Sequence, residues 1–351
     1  MITGLTGLHV VQGQPPSAKH GLTNLTEKGK ALWLLAIMSP VVAELCSGSS
    51  PPLEFFNPIS FALLLGLYGA GVLIMRELSV IWNLGWFGVI LLGSAYGILE
   101  EGVAIKSFFD PEWMDLGGLG EYGRYLGTNL VWAVWLTIFH AVISITVPIV
   151  LIGFMYPQFK GQRFLEGRRF KIVLLIMLLD VLVCFFLLNP YVPYLPMYLL
   201  SILAVFGLVF YAKHFPRKFM MPKEGPPTWT PRRFFVMGFA FLLLCFVLAG
   251  LFVETIVAPI VPIALMLALS TYVILMLEKH MGCRGNLPHK GYFIAGILSL
   301  LLFLDFVLGL GGAVDMVIVG VFLAIFIFDL TRWSAGKTVL IFFRQKAQRT
   351  M

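Results

Sequence analysis

Ten apolar stretches follow one another along the chain, at 31–46, 58–75, 86–105, 128–155, 172–188, 194–212, 234–253, 258–277, 291–309 and 312–330. A bilayer core about 30 Å thick is crossed by about 17–25 helical residues, so each stretch reads as a membrane-spanning helix. The first is short and contains Pro40, which leaves its ends soft. Charged residues are 12% of the 351, where a soluble domain carries about 25%. The spans use up the length and leave no room for a soluble domain of useful size. The predicted fold is all-α: a multi-pass integral protein of about ten transmembrane helices, expected in the cell (plasma or cytoplasmic) membrane.

Charge placement tests that count. With both termini cytoplasmic, 23 of the 25 Lys and Arg residues fall in cytoplasmic segments, and only Lys106 and Arg124 fall on the other side. This is the bias of the positive-inside rule. The basic loops, with Lys160, Arg163, Arg168, Arg169 and Lys171, then Arg217, Lys218, Lys223, Arg232 and Arg233, are orientation signals facing anionic headgroups. The net charge of +7 therefore points to membrane lipids and not to nucleic acid. Cys46, Cys184, Cys245 and Cys283 have neither metal-type spacing nor a disulfide pattern.

The chain divides into a polar cytoplasmic tail (1–30), a four-helix half rich in polar residues (31–156), a scaffold half (157–331) and an amphipathic basic tail (332–351). The scaffold helices are mostly Leu, Val, Ile and Phe. The long outer loops, 47–57 and 106–127, hold Glu54, Asp110, Glu112, Asp115 and Glu121, so the outer face is acidic. The stretch from Ser47 to Pro58 reads either as a lid over a site or as an ordinary ordered loop.

Within the third span, Glu100 and Glu101 stand side by side. One acidic side chain at mid-bilayer costs about 2.5–3.5 kcal/mol on insertion scales, and adjacent like charges raise that cost. Helical spacing puts Gly93, Gly97 and Glu101 on one face with Glu100 beside them, so the carboxylates point where a neighbouring helix approaches closely. His140 is the one histidine inside a span, with Thr137 and Ser144 on its face. At about 1.5 Å per residue, Glu100 and Glu101 lie about 21–23 Å along their outward-running helix and His140 about 18 Å down the next. That is within reach of one another. Glu44 lies near the same boundary, one turn past Pro40.

Such a cluster can activate water by general-base catalysis, hold a divalent metal through Glu101 and His140, or bind and release a cation or proton. The bland alternative is that Glu100 or Glu101 pairs with Lys106 or Arg124 and locks the helix ends. Elsewhere, Arg76-Glu77 reads as an interfacial pair. Asp180, one turn from Cys184, and Asp305 read as helix–helix hydrogen-bond partners.

The sequence Glu100-Glu101-Gly102-Val103-Ala104-Ile105-Lys106 followed by Phe139-His140 resembles the glutamate-dependent intramembrane protease superfamily over residues 86–145. That superfamily groups CAAX-type and bacteriocin-processing enzymes with PrsW-type proteases. The resemblance implies that one Glu and the His activate water against a peptide bond of a membrane-anchored substrate. Glu101 would be the general base, Glu100 its partner, His140 the group orienting water or oxyanion, and Glu44 an auxiliary. The leading expectation is thus an intramembrane hydrolase working from the outer leaflet. A proton- or cation-coupled transporter or channel, and a non-catalytic subunit of a larger complex, are the competing readings.

Overall fold

The computed structural model describes residues 18–215, 223–253, 255–339 and 341–343. Arg217, Lys218, Glu254 and the end of the basic tail, including Arg344 and Lys346, lie outside them. Among the described residues nine helices are long and apolar enough to cross a membrane. They are α2 (Pro58–Ile81), α3 (Trp86–Ala104), α4 (Leu130–Met155), α5 (Arg168–Leu188), α6 (Leu195–His214), α7 (Pro231–Gly250), α8 (Ile260–His280), α9 (Leu287–Leu310) and α10 (Val314–Ser334).

The tenth expected span is not among those nine. Its helix, α1, starts at Ala18, runs to Pro40 and continues through a π turn, Val41–Leu45. Residues 18–30, expected as a polar tail, are therefore helical; Lys30 pairs with Glu27 one turn away at 2.8 Å. The apolar part of α1 nevertheless packs inside the bundle. Pro40 has no N–H to give to the carbonyl of Ala36, and Gly69 of α2 closes on that carbonyl so tightly that a Cβ there would lie 2.8 Å from its oxygen. Pro148 likewise leaves the carbonyl of Ser144 in α4 without its helical donor. Ser39 of α1 donates to it at 2.6 Å. Two prolines thus free two carbonyls, and both are used where α1 meets its neighbours.

Helix α2 extends to Ile81, beyond the expected end at 75, because the charges that close its apolar run in the sequence neutralise each other in the fold. The expected interfacial pair Arg76–Glu77 is buried, with Arg76 Nη1 2.7 Å from Glu77 Oε1. Arg76 Nη2 donates to the carbonyls of Gln162 and Phe159, and the Phe164 amide donates to Glu77 at 2.7 Å. The pair clamps the loop between α4 and α5.

Helices α2 and α4 pack on α1, α3 packs against α4 and α2, α5 leans on α2, α6 leans on α3, and α7, α9 and α10 pack together. The α3–α4 contact is written in glycine, as the spacing predicts. A Cβ on Gly93 would sit 2.8 Å from the Ala141 backbone, and one on Gly97 would sit 2.9 Å from the His140 Cβ.

Gly71 of α2 lies under the Tyr96 ring with no room for a methyl, whereas Gly153 of α4 faces open space. Gly71→Ala is expected to cost about 1–3 kcal/mol by overpacking. Gly153→Ala should be neutral or stabilise by up to about 1 kcal/mol. Thermal unfolding of the two variants in detergent checks the contrast.

Candidate functional site

Adjacent residues on an α-helix diverge by about 100°, so Glu100 and Glu101 in a regular helix could not both face one neighbour. The end of α3 is not regular. Residues Ile98–Ala104 form a π turn, closed by the Ile105 amide donating to the Glu100 carbonyl at 2.8 Å. The wider turn brings the two carboxylates round to the same side. His140 opens a second π turn, His140–Thr146, in α4. Glu44 lies in the π turn of α1 and Tyr68 in another, Leu65–Gly69, in α2. Irregular turns of this kind gather at functional sites. Here four of them meet in one cluster.

At its centre the His140 imidazole is held between the two carboxylates. Nδ1 lies 3.1 Å from Glu100 Oε2, and Nε2 lies 3.0 Å from Glu101 Oε1. Glu100 and His140 are buried, while the Glu101 side chain keeps 12% of its surface exposed. Ser144 Oγ, one turn below His140, lies 2.9 Å from Nδ1.

The indole of Trp132 sets the polarity on the other side. Its N–H can only donate, and it donates to Ser107 Oγ at 3.2 Å. The Ser107 hydroxyl is left to donate to Glu101 Oε2 in a short hydrogen bond. Glu101 Oε2 therefore stands as an acceptor, while Oε1 and Nε2 of His140 face each other at 3.0 Å across a single shared proton.

Glu44 joins through tyrosine. Tyr68 donates a short hydrogen bond to its Oε1, and Ser50 donates to Oε2 at 2.9 Å. The Tyr68 ring centroid is 5.9 Å from that of His140. Ser50 belongs to the stretch from Ser47 to Pro58, which is ordered and tied down over Glu44; Asn57 at its end caps α2 by accepting from the Ile59 amide. Tyr96, one turn before Glu100, has a buried hydroxyl without a hydrogen-bond partner among the described residues, and Glu100 Oε2 has only its ion-pair contact with His140 Nδ1.

All four expected site residues, Glu44, Glu100, Glu101 and His140, thus lie around one centre. Tyr68, Tyr96, Ser107, Trp132 and Ser50 join them without having been expected. Of these Tyr96 carried a signal in its spacing of four from Glu100, and Ser50 in lying within the stretch read as a lid or an ordinary loop.

The bracing alternative does not hold in this geometry. Lys106 turns away from the pair in a left-handed backbone conformation (φ 65°). Its ammonium donates to the carbonyls of Phe185, Asn189 and Tyr191 at 2.8, 2.5 and 3.1 Å. Burial pulls its pKa down, with Asp110 acting in the opposite sense. Arg124 donates to the carbonyls of Gly120, Phe109 and Gly127. Asp305 departs from expectation too: both of its oxygens are buried with no hydrogen-bond partner among the described residues. Asp180 accepts from Cys184 within its own helix, Sγ to Oδ2 at 3.9 Å, and not from a neighbouring helix as expected; it packs on Gly66 of α2.

Glu100, Glu101 and His140 each present a ligand atom within 4.8 Å of the others. This carboxylate–imidazole set is one that can hold a divalent cation.

A model of an uncharacterized membrane protein family matches residues 33–344, which is nearly the whole chain. The chain belongs to that family. No curated protein and no solved structure is detectably similar to it.

If Lys106 anchors the loop and not the carboxylates, Lys106→Gln should lower stability by about 1–3 kcal/mol through its unpaired carbonyls. It should leave the His140 ring environment unchanged. Thermal unfolding together with the histidine ring resonances in detergent reads both effects.

Proposed function

We propose that the chain is an intramembrane hydrolase, a glutamate-dependent protease acting on a membrane-embedded peptide substrate. The observation that carries this reading is the imidazole held at both ring nitrogens by adjacent carboxylates inside the bundle, with both nearby cations engaged elsewhere. Three groups able to gain or lose a proton, within hydrogen-bond reach of one another, are what general acid–base hydrolysis requires.

In this reading the partly exposed Glu101 takes a proton from a water molecule as its oxygen attacks the substrate carbonyl. The charge on His140 faces the developing oxyanion, a preorganised electrostatic contribution of the kind that dominates such reactions. The C–N bond then breaks, and the proton passes to the leaving amine through the carboxyl groups. The unpartnered Tyr96 hydroxyl is where a buried polar site favours a further polar group, because leaving it unpaired in an apolar interior is costly. Glu44, held by Tyr68 and Ser50, is an auxiliary charge at the rim.

We further propose that both termini are cytoplasmic and that the site opens toward the outer leaflet of the cell membrane. The loops at the far end of the bundle carry the basic residues, which supports that orientation.

Glu101→Gln and His140→Ala are each expected to lower processing of a membrane-anchored peptide library in proteoliposomes by at least about 100-fold, the scale of a lost acid–base group. Unchanged turnover in folded variants would overturn the reading. Orientation is tested separately, in a Cys283→Ser background. Asp115→Cys should react with an impermeant maleimide on intact cells, and Lys160→Cys only after permeabilisation.

A further inference from the structure

A second feature lies beside the carboxylate cluster. A cavity of about 660 Å³ opens between α3, α4, α6 and the helices α7, α8 and α9. Its size falls within the ~300–1,000 Å³ of small-molecule sites. It runs the length of the bundle: Phe108 and Thr128 border it at the carboxylate end, and Trp86, Met281 and Lys290 at the other. Between those ends the walls are almost wholly apolar.

Among the described residues, two polar groups at its opposite ends lack a partner: a hydrogen bond for one, an ion pair for the other. The Thr128 hydroxyl is buried and makes no hydrogen bond among the described residues. Lys290 is half-buried in the wall, and among the described residues no carboxylate forms an ion pair with it. Another cation, Lys160 of the α4–α5 loop, acts on it electrostatically. Two neighbouring cations, one partly withdrawn from water, repel each other, and an anion between them relieves that repulsion.

The ligand that meets the charge at the Lys290 mouth and the apolar walls has an anionic head there and an apolar chain long enough to follow the slot. The slot lies within membrane-spanning segments, where hydrocarbon is the surrounding medium, so a free phosphate or a soluble anion matches only half of it. We propose that this slot is a lipid-binding site. It takes one acyl chain of an anionic phospholipid, with the phosphate on Lys290 and Lys160 and the chain running toward Thr128. Its wall includes Ile98 and Thr137, one turn before Glu101 and His140, so an occupied slot would buttress the faces of α3 and α4 that carry the cluster. The site is independent of whether the cluster hydrolyses anything.

The test is photolabelling of the full-length protein in phosphatidylcholine vesicles doped with a phosphatidylglycerol that carries a diazirine midway along one chain. Label is expected on the slot-facing residues of α4 and α8. Unlabelled phosphatidylglycerol should suppress it and phosphatidylcholine should not. Lys290→Gln should reduce it about fivefold, the scale of one lysine's attraction for an anionic headgroup. Ala204→Trp, which fills the slot, should abolish it in a protein that elutes and melts like wild type. Glu101→Gln should leave it intact, which separates this site from the hydrolase reading. Labelling indifferent to both slot variants, or suppressed equally by the zwitterionic lipid, would overturn the proposal.

Discussion

Everything near the centre of this protein depends on one imidazole shared by two carboxylates that are neighbours in the chain. Each carboxylate alone would cost a few kcal/mol at this depth, and together they repel. The His140 ring between them turns the repulsion into two attractive contacts at 3.1 and 3.0 Å. The remaining capacity of Glu101 is met by Ser107, which Trp132 orients, so the arrangement draws on the α3–α4 loop as well as on both helices. Glu44, Tyr68 and Ser50 extend it to α1, α2 and the loop between them. Removing one partner from such a set leaves a buried group unpaired, which costs more than the contact itself contributes.

That arrangement needs helices that are locally not α-helices. In α1 and α4 a physical cause for a departure is visible: Pro40 and Pro148 each remove a helical donor, and neighbouring helices exploit the freed carbonyls of Ala36 and Ser144. In α2 the turn lies among glycines, between Gly66 and Gly69. In α3 it coincides with the glutamate pair, flanked by Gly97 and Gly102. Wider turns misalign backbone hydrogen bonds, and they persist where the surrounding packing over-determines them. Here the glycine-lined contact of α3 with α4 provides that packing.

This explains what was legible in the sequence and what was not. Apolar run length gave the number of long helices closely, because hydrocarbon thickness leaves little freedom. It failed at α1 and at the end of α2, where charges interrupt the run but are paired in the fold: Lys30 with Glu27, and Arg76 with Glu77. Glu44, Glu100, Glu101 and His140 stood out because charge in an apolar run is expensive and therefore rare. Tyr68, Ser107 and Trp132 did not, since a tyrosine, a serine and a tryptophan near a membrane boundary are ordinary in composition. Their roles come from loop and π-turn geometry that an α-helical period does not encode.

The placement of Lys106 bears on why the cluster exists. A cation five residues beyond Glu101 was the simplest means of neutralising the pair and bracing the end of α3. The chain instead holds Lys106 at φ 65°, a conformation that costs a non-glycine residue on the order of 1 kcal/mol, and directs its ammonium to three carbonyls of the α5–α6 connection. Arg124 is likewise committed to loop carbonyls. A cluster under pressure only for stability would have used either cation. Keeping both away leaves the two carboxylates and the imidazole to pair among themselves. In the hydrolase reading proposed above, that asymmetry, more than the presence of acidic residues in the bundle, is the argument for chemistry over a structural ion pair.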